Sequence, residues 1–291
     1  MMRPGLLHPS RLVTAASSGT TAGWVRRWVV RRLYNHLAQA YPLQEWTTMN
    51  YGYAALPGEA SLAAAPPADA AERNSLQLYA RVASSGWRGA ALGGLDVLEV
   101  GSGRGGGAAF VAAAMRPRSM TGLDVAAASA TLASIRYGGL PNLTFIEGDA
   151  ENLALPDAGY DIVLNIESAH CYASVPRFLA EAARVLRPGG ELLFAGFASR
   201  RGGALERLAA AFGDSPLVLD RLDDITANIV ASLRLDEARK RELIGRAVRA
   251  PFRSFATGAY AMEGTAMRRA LEAGGTAYVA AVLSKAGGSV E

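Results

Sequence analysis

The sequence predicts an α/β fold in which a parallel sheet is covered by helices on both faces. Short apolar runs alternate with amphipathic segments between residues 95 and 197. A glycine cluster follows the first apolar run directly, and acidic residues end the next two runs. Such alternation is typical of parallel strands joined by crossover helices, and glycines permit a sharp turn from strand to helix.

Two helices are predicted ahead of the sheet. Apolar residues recur every four positions and predict a helix over 24–40, with arginines beside the stripe: Val25, Val29, Leu33 and Leu37. Residues 55–71 are rich in Ala and Pro and are interpreted as a linker. A second helix is predicted over about 72–85.

The core elements then follow in alternation. The predicted strands span 95–100, 119–125, 143–149, 160–168 and 191–197. The predicted helices between them span 104–115, 126–137 and 177–186.

Residues 203–249 interrupt this alternation with charged amphipathic segments and no convincing strand. The segment follows a core strand, at the sheet end where ligands bind in such folds, so we interpret it as a helical lid insertion. A helix over about 259–273 and a strand over 276–284 close the chain. We expect residues 1–90 to form a helical cap and linker, and residues 91–291 to form the core with its lid.

Composition excludes several classes of protein. The chain has 291 residues, 50% of them hydrophobic and 19% charged, which suits a globular enzyme and not a disordered chain. No apolar run reaches the roughly 18 residues of a membrane span, and no secretory pattern stands at the N-terminus. With Cys171 as the single cysteine, we expect a cytoplasmic protein without stable membrane insertion.

Positive charge is concentrated at the N-terminus. The first 44 residues hold six of the 30 basic residues and none of the 26 acidic ones, so the remainder carries 24 basic and 26 acidic side chains. An enzyme acting on nucleic acid would carry a basic stripe near its active site, so we predict no nucleic-acid partner. The basic end is interpreted as a solvated helix face or as a contact with a membrane surface or an acidic partner. Some mitochondrial presequences share its composition.

The residues that carry chemistry stand at the ends of three predicted strands. Glu99 opens the glycine turn, Asp124 ends the second strand, where a carboxylate can accept hydrogen bonds from ribose hydroxyls, and Asp149 ends the third, within reach of an adenine amine. An acidic residue at the turn disfavours a pyrophosphate and favours a cationic ligand. The alternatives are an ordinary strand-to-helix turn and, for Asp124, a helix N-cap.

The segments VLEVGSGRGGG, TGLDV, EGDAENLALPDAGYDIVLNIESAHCY and FLAEAARVLRPGG resemble the ordered motifs of class I S-adenosylmethionine-dependent methyltransferases. Within that superfamily the chain is similar to bacterial natural-product O-methyltransferases, including those that act on phthiotriol and phenolphthiotriol dimycocerosates. The resemblance covers about 92–197, is weaker over 49–54 and 255–285, and is poor over 1–40 and 203–249. It implies a Rossmann-like seven-stranded sheet, S-adenosylmethionine as cofactor and S-adenosylhomocysteine as product.

The resemblance also implies roles for individual residues. Glu99 and the glycines would hold the methionine part, Asp124 the ribose, and Asp149 with the Ala150 backbone the adenine, while the end of strand four forms the cofactor floor. The full predicted cofactor set is Tyr51, Tyr53, Glu99, Gly101, Ser102, Gly103, Asp124, Val125, Asp149, Ala150, Glu151, Asn165 and Ile166. Tyr51 and Tyr53 resemble an aromatic segment that closes over the sulfonium, since aromatic faces attract cations. The alternative is a core tyrosine pair that anchors the N-terminal helix.

His170 is the predicted catalytic base. It follows the fourth strand, and an imidazole titrates near neutrality, so it can accept a proton from a hydroxyl. The alternative is a histidine that packs or hydrogen-bonds the cofactor. Catechol-type enzymes need a cluster of acidic metal ligands, and Asn165 with Glu167 is not one, so we predict no metal.

The sequence therefore predicts methyl transfer to a hydroxyl of a small, hydrophobic natural product, in secondary metabolism such as antibiotic biosynthesis. N- or C-methyl transfer, a cofactor-bound cyclase without methyl transfer and, in a different class, a nicotinamide-dependent oxidoreductase stay open as alternatives. The sequence is compatible with a homodimer and does not determine the oligomeric state.

Overall fold

The computed structural model describes residues 23–62, 64–67, 70–87 and 89–287. The strands are β1 (Asp96–Val100), β2 (Ser119–Asp124), β3 (Leu143–Glu147), β4 (Tyr160–Ile166), β5 (Leu186–Ser199), β6 (Val218–Asp224) and β7 (Thr276–Ser284). The α-helices are α1 (Gly23–Ala40), α2 (Arg73–Ala83), α3 (Gly106–Ala114), α4 (Ala127–Tyr137), α5 (Val175–Val185), α6 (Ala204–Gly213), α7 (Thr226–Ala247), α8 (Arg253–Ala259) and α9 (Ala266–Glu272). Within these ranges no helix combines the length and apolar character needed to cross a bilayer.

The seven strands form one sheet in the order β3-β2-β1-β4-β5-β7-β6. The pairs among β1 to β5 are parallel, whereas β7 runs antiparallel to both β5 and β6. The predicted α/β fold with a seven-stranded sheet is confirmed. The order in which strands are added to the sheet reverses at the neighbouring strands β1 and β4. Ligands bind in the crevice beyond the carboxyl ends of the strands at such a point.

Both faces of the central strands are buried. In β7, Tyr278 and Val282 belong to one hydrophobic cluster, and Val279 and Leu283 belong to the cluster on the opposite face. This alternation follows from the two-residue period of a strand. Residues of α2 lie in the first cluster with the strands, so the second predicted N-terminal helix packs as part of the core.

The prediction that residues 203–249 contain no strand was wrong. Between α6 and α7 the chain forms β6, which pairs with β7 at the edge of the sheet. Five of its seven residues are exposed and four are charged, so the usual apolar signal is missing. Charged side chains on an edge strand hinder pairing with another chain. They also interrupt the apolar run by which a strand is recognised in a sequence.

Several predicted bounds differ from those in the structure. The strand predicted over 191–197 spans Leu186–Ser199, and two helices differ for reasons that the structure shows. The helix expected over 259–273 is replaced by α8 and α9, because the chain between them turns through Gly264 (φ 80°) and Thr265 Oγ1 then accepts the backbone N–H of Arg268 as an N-cap. The helix expected from residue 104 begins at Gly106. Gly105 before it has a φ of 84°, which helical residues do not adopt.

Arg104 fastens the N-terminal region to the glycine turn. Its side chain is buried and donates from Nε to the carbonyl of Trp46 (2.7 Å) and from Nη2 to that of Tyr41. The guanidinium also lies 4.2 Å from the centre of the Trp46 ring, a favourable cation–π geometry. The segment after α1 is therefore held directly against the turn between β1 and α3.

Candidate cofactor and active site

A cavity of about 870 Å³, including its open mouth, lies beyond the carboxyl ends of β1, β2 and β4. Nine of the predicted cofactor residues line it: Gly101, Ser102, Gly103, Asp124, Val125, Asp149, Ala150, Glu151 and Ile166. Sequence reasoning did not assign a role to a second group that also lines it: Arg27, Tyr34, Thr48, Met49, Asn50, Tyr79, Glu167, Ser168, Cys171 and Tyr172. Because Asp149, Ala150 and Glu151 follow β3, the cavity brings together the ends of four strands, and α1 and the segment 47–50 also line it.

The glycine turn forms the floor of the cavity because of its backbone conformation. Gly101 and Gly103 have φ angles of 85° and 53°, values that other residues adopt only with strain. A Cβ atom on Gly101 would collide with the side chain of Ser168, and one on Gly103 would meet the terminal methyl of Met49 at 2.6 Å. A side chain at either position would therefore displace the residues that line the cavity.

Asp124 is buried at the end of β2, and both its oxygens accept backbone hydrogen bonds. Oδ2 accepts from Gly103 N at 2.8 Å, and Oδ1 accepts from Ala126 N at 2.9 Å. Burial raises the pKa of this carboxyl against the opposing effect of the two N–H groups. Each carboxylate oxygen keeps a further lone pair, so Asp124 can shape the glycine turn and still accept hydroxyl donors.

The end of the cavity next to β3 is acidic, and an arginine of α1 pairs with its two carboxylates. Asp149 and Glu151 follow β3, and Glu151 Oε1 accepts the backbone N–H of Ala173 at 2.7 Å. Arg27 of α1 lies 3.8 Å (Nε) from Asp149 Oδ2 and 3.4 Å (Nη1) from Glu151 Oε2. The basic N-terminal helix therefore contacts Asp149, a predicted adenine contact, and Glu151, another member of the predicted cofactor set. The sequence did not indicate these contacts.

Glu99 does not line the cavity but lies directly behind Tyr79, which does. The carboxyl is fully buried, and its Oε1 accepts the Tyr79 hydroxyl at 2.7 Å, whereas Oε2 has no hydrogen-bond partner. Burial raises the pKa of Glu99 to about 8, with Asp124 adding to the effect. A cation in the cavity would stabilise the ionised form of this group.

Asn165 also stands behind the lining, at the end of β4. Its Nδ2 donates to the carbonyl of Val100 (3.0 Å), to Ser168 Oγ (2.8 Å) and to Tyr172 Oη (2.7 Å), and its Oδ1 is buried without a partner. The Ser168 and Tyr172 hydroxyls lie 2.5 Å apart. Asn165 thus positions two lining hydroxyls, while Ile166 lines the cavity itself.

Tyr51 and Tyr53 lie outside the residues that line the cavity, although Thr48, Met49 and Asn50 of the same segment line it. The Tyr51 ring stacks on Phe197 with centroids 5.5 Å apart, and the Tyr53 hydroxyl donates to Glu59 at 2.9 Å. Both tyrosines are buried in the hydrophobic cluster that holds the strands.

His170 follows β4 on a short 3-10 helix (Ala169–Cys171), is exposed, and lies outside the lining. Its ring stacks on Phe197 with centroids 4.8 Å apart.

Glu167, by contrast, is buried and lines the cavity. Its Oε1 accepts the backbone N–H of Tyr51 (2.7 Å) and the Tyr278 hydroxyl (2.8 Å). Its φ of 49° is unusual for a residue other than glycine and marks a position held by its surroundings. Burial raises the pKa of Glu167 to about 7, although the charges of His170 and Lys240 lower it. Its place directly after β4 could have singled it out in the sequence.

The hydrogen-bond acceptors of the cavity fit a positively charged nucleoside. Three buried oxygens in or behind its wall have no partner within the described part of the chain: Glu99 Oε2, Ser102 Oγ and Asn165 Oδ1. The carboxyl groups of Asp124, Asp149, Glu151 and Glu167 line the same space, and that of Glu99 lies behind its wall. Cationic donor groups satisfy such acceptors, whereas a pyrophosphate would be repelled by the carboxylates.

Comparisons with known proteins agree with this site. A family model described as a methyltransferase domain matches residues 98–194. The chain is 35% identical over 268 residues to the phthiotriol/phenolphthiotriol dimycocerosates methyltransferase of Mycobacterium leprae, covering 90% of this chain and 93% of that protein. It is 44% identical over 126 residues to a fatty-acid O-methyltransferase of Mycolicibacterium smegmatis, covering 43% and 44% of the two chains.

Solved structures share the fold. A sarcosine dimethylglycine methyltransferase from Galdieria sulphuraria matches with a TM-score of 0.67 and 17% identity, covering 88% of this chain and 98% of that one. The [4+2]-cyclase SpnF matches with a TM-score of 0.64 and 21% identity, covering 89% and 96%. The chain belongs to the class I S-adenosylmethionine-dependent methyltransferases and is similar over most of its length to the phthiotriol/phenolphthiotriol dimycocerosates methyltransferases.

Proposed function

We propose that the protein transfers a methyl group from S-adenosylmethionine to a hydroxyl or carboxyl oxygen of a hydrophobic, lipid-like natural product. The observation that carries the proposal is Glu167, a buried carboxyl with a raised pKa in the wall of the cofactor cavity. A hydroxyl acceptor must lose a proton during transfer, and a base whose pKa lies near the working pH suits that task. Two relatives support the acceptor class, since their names refer to fatty acids and to phthiotriol dimycocerosates.

The cofactor would lie along the ends of the strands. We propose that Asp124 with Val125 holds the ribose, Asp149, Ala150 and Glu151 the adenine, and the glycine turn the methionine part. Ser102 Oγ and, behind the wall, Glu99 Oε2 would accept from the ammonium group, directly or through water. When bound, S-adenosylmethionine supplies an electrophilic methyl group for in-line displacement.

The chain's own residues would align the acceptor and manage its proton. Glu167 would accept the proton inside the cavity, and His170, which is exposed at the same strand end, would influence its charge and exchange protons with solvent. His170, the base predicted from the sequence, would therefore act only through Glu167, because Glu167 lines the cavity and His170 does not. The segment 47–50, α1 and α7 would exclude water, which retains the lid role for part of 203–249.

Product analysis tests the proposal. Purified protein should methylate a long-chain fatty acid or hydroxylated long-chain acceptor with isotopically labelled S-adenosylmethionine, and the label should be found on oxygen by NMR. Unchanged acceptors across a panel of acids, aliphatic alcohols and phenols, or a label on carbon or nitrogen, would contradict transfer to oxygen.

A further prediction concerns Arg27, which joins α1 to Asp149 and Glu151. An Arg27→Ala variant should release S-adenosylhomocysteine about 3- to 10-fold faster, because partly exposed ion pairs of this kind contribute about 0.2–1 kcal/mol each. Stopped-flow displacement measures the rate. Arg31→Ala is the matched control, since Arg31 pairs with Glu147 outside the cavity. Slower release in the Arg27 variant would show instead that Arg27 competes with the nucleoside for Asp149.

A further inference from the structure

Helix α1 presents two faces with different chemistry. One face lines the cofactor cavity with Arg27, Val30 and Tyr34. The other face forms a shallow surface groove with residues spaced three or four positions apart: Trp28, Arg31, Arg32, Asn35, His36 and Gln39. We call this second group the outer face of α1.

The outer face combines an exposed aromatic ring with basic side chains. Trp28 is 54% exposed, and the Arg32 guanidinium lies 4.9 Å from the centre of its ring. Arg31 is also exposed and pairs with Glu147. Helix α1 itself contains four arginines and no acidic residue.

We propose that the outer face of α1 binds an anionic lipid surface, with the helix lying in the plane of the interface. Tryptophan prefers the boundary between headgroups and acyl chains, and basic side chains beside it are attracted to anionic lipids. Acidic residues, which such a surface would repel, are absent from the first 44 positions of the sequence. The rest of the chain carries 24 basic and 26 acidic residues, so the attraction is directed to this end of the molecule and does not form the long basic track that a nucleic acid requires.

This orientation has a consequence for the active site. The inner face of α1 forms part of the cavity wall, and the segment after α1 is fastened to the glycine turn through Arg104. Docking of the outer face would therefore hold the cavity within one helix diameter, about 10–12 Å, of the lipid surface. The binding itself can be tested without any acceptor, so it does not depend on the proposed reaction.

Co-sedimentation of the full-length protein with vesicles tests the inference. Binding is expected to vesicles of phosphatidylcholine with phosphatidylglycerol and not to phosphatidylcholine alone, and it should be lost toward about 1 M salt, where screening is strong. Arg32→Glu should weaken binding about tenfold or more, because it reverses one charge at the surface. Brominated lipid should also quench the fluorescence of Trp28. The contribution of Trp28 is obtained by subtracting the quenching seen in Trp28→Phe from that seen in wild type.

Matched controls make the result specific to this face. Arg177→Glu reverses an exposed charge on α5, and Trp87→Ala removes a tryptophan that is 59% exposed beside Glu191; both should bind vesicles like wild type. Unchanged affinity for S-adenosylhomocysteine would show that Arg32→Glu is folded. The inference is overturned if wild type does not bind anionic vesicles, if the control variants lose binding equally, or if the outer face binds duplex DNA but not vesicles.

Discussion

Replacing Glu99 with glutamine should weaken the binding of S-adenosylmethionine by about 10- to 100-fold, the loss expected for one charge-assisted hydrogen bond to a buried group. Glu99 Oε2 is buried without a partner, and burial raises the pKa of the carboxyl to about 8. The free protein at pH 7 therefore holds Glu99 mainly protonated. A bound cation favours the ionised form, so binding should release close to one proton from wild type and none from this position in the variant.

Titration calorimetry at pH 7 in two buffers of different ionisation enthalpy measures the number of protons released on binding. Glu191→Gln is the matched control, because Glu191 is also a buried carboxyl with a raised pKa but lies beside Trp87, outside the cavity. It should bind S-adenosylmethionine like wild type. Equal affinity of the Glu99→Gln variant and wild type would remove Glu99 from the cofactor site.

Glu99 should also affect the stability of the ligand-free protein. Its folded-state pKa of about 8 lies above the ordinary value of 4.5, so the unfolded chain loses this proton first as the pH rises. Stability contributed by the protonated group is complete below about pH 4.5 and declines toward pH 8. The unfolding temperature of Glu99→Gln relative to that of wild type should therefore increase between about pH 4.5 and pH 8 and then stay constant.

Glu167→Gln should lower kcat by about 100-fold or more, within the range that a general base contributes, while the KM for S-adenosylmethionine changes little. In wild type, activity should rise with pH through about 7, as Glu167 becomes ionised. His170 lowers the pKa of Glu167 through its charge, so His170→Ala should shift this rise to higher pH without abolishing the activity. Rate profiles between pH 5.5 and about 9 measure both effects.

Tyr278→Phe distinguishes loss of the Glu167 carboxyl from loss of one of its hydrogen bonds. It removes one hydrogen bond to Glu167 Oε1 and leaves the carboxyl in place, so most of kcat should remain. If His170→Ala abolishes turnover and Glu167→Gln does not, His170 is the base and the assignment of Glu167 is wrong.

Much of the cofactor cavity could be predicted from the sequence because its parts are local. The glycine turn follows β1 directly, and Asp124 and Asp149 each stand within a few residues of a strand end. Parallel strands bring their carboxyl ends to one edge, so residues distant in the chain meet by topology alone. Strand β6 was not predicted, because exposed charged residues at the edge of the sheet replace the apolar pattern of a buried strand.

The amino-acid sequence by itself determined the sheet, the order of its central elements and the carboxylates at its edge, because strand periodicity and turn chemistry are written in neighbouring residues. Only the tertiary structure decided what covers the cavity and that Glu167, not His170, lines it beyond β4. Arg27 reaches Asp149 across 122 positions, and Tyr278 reaches Glu167 across 111. Contacts over such separations depend on how whole helices and strands pack, and no local pattern encodes them.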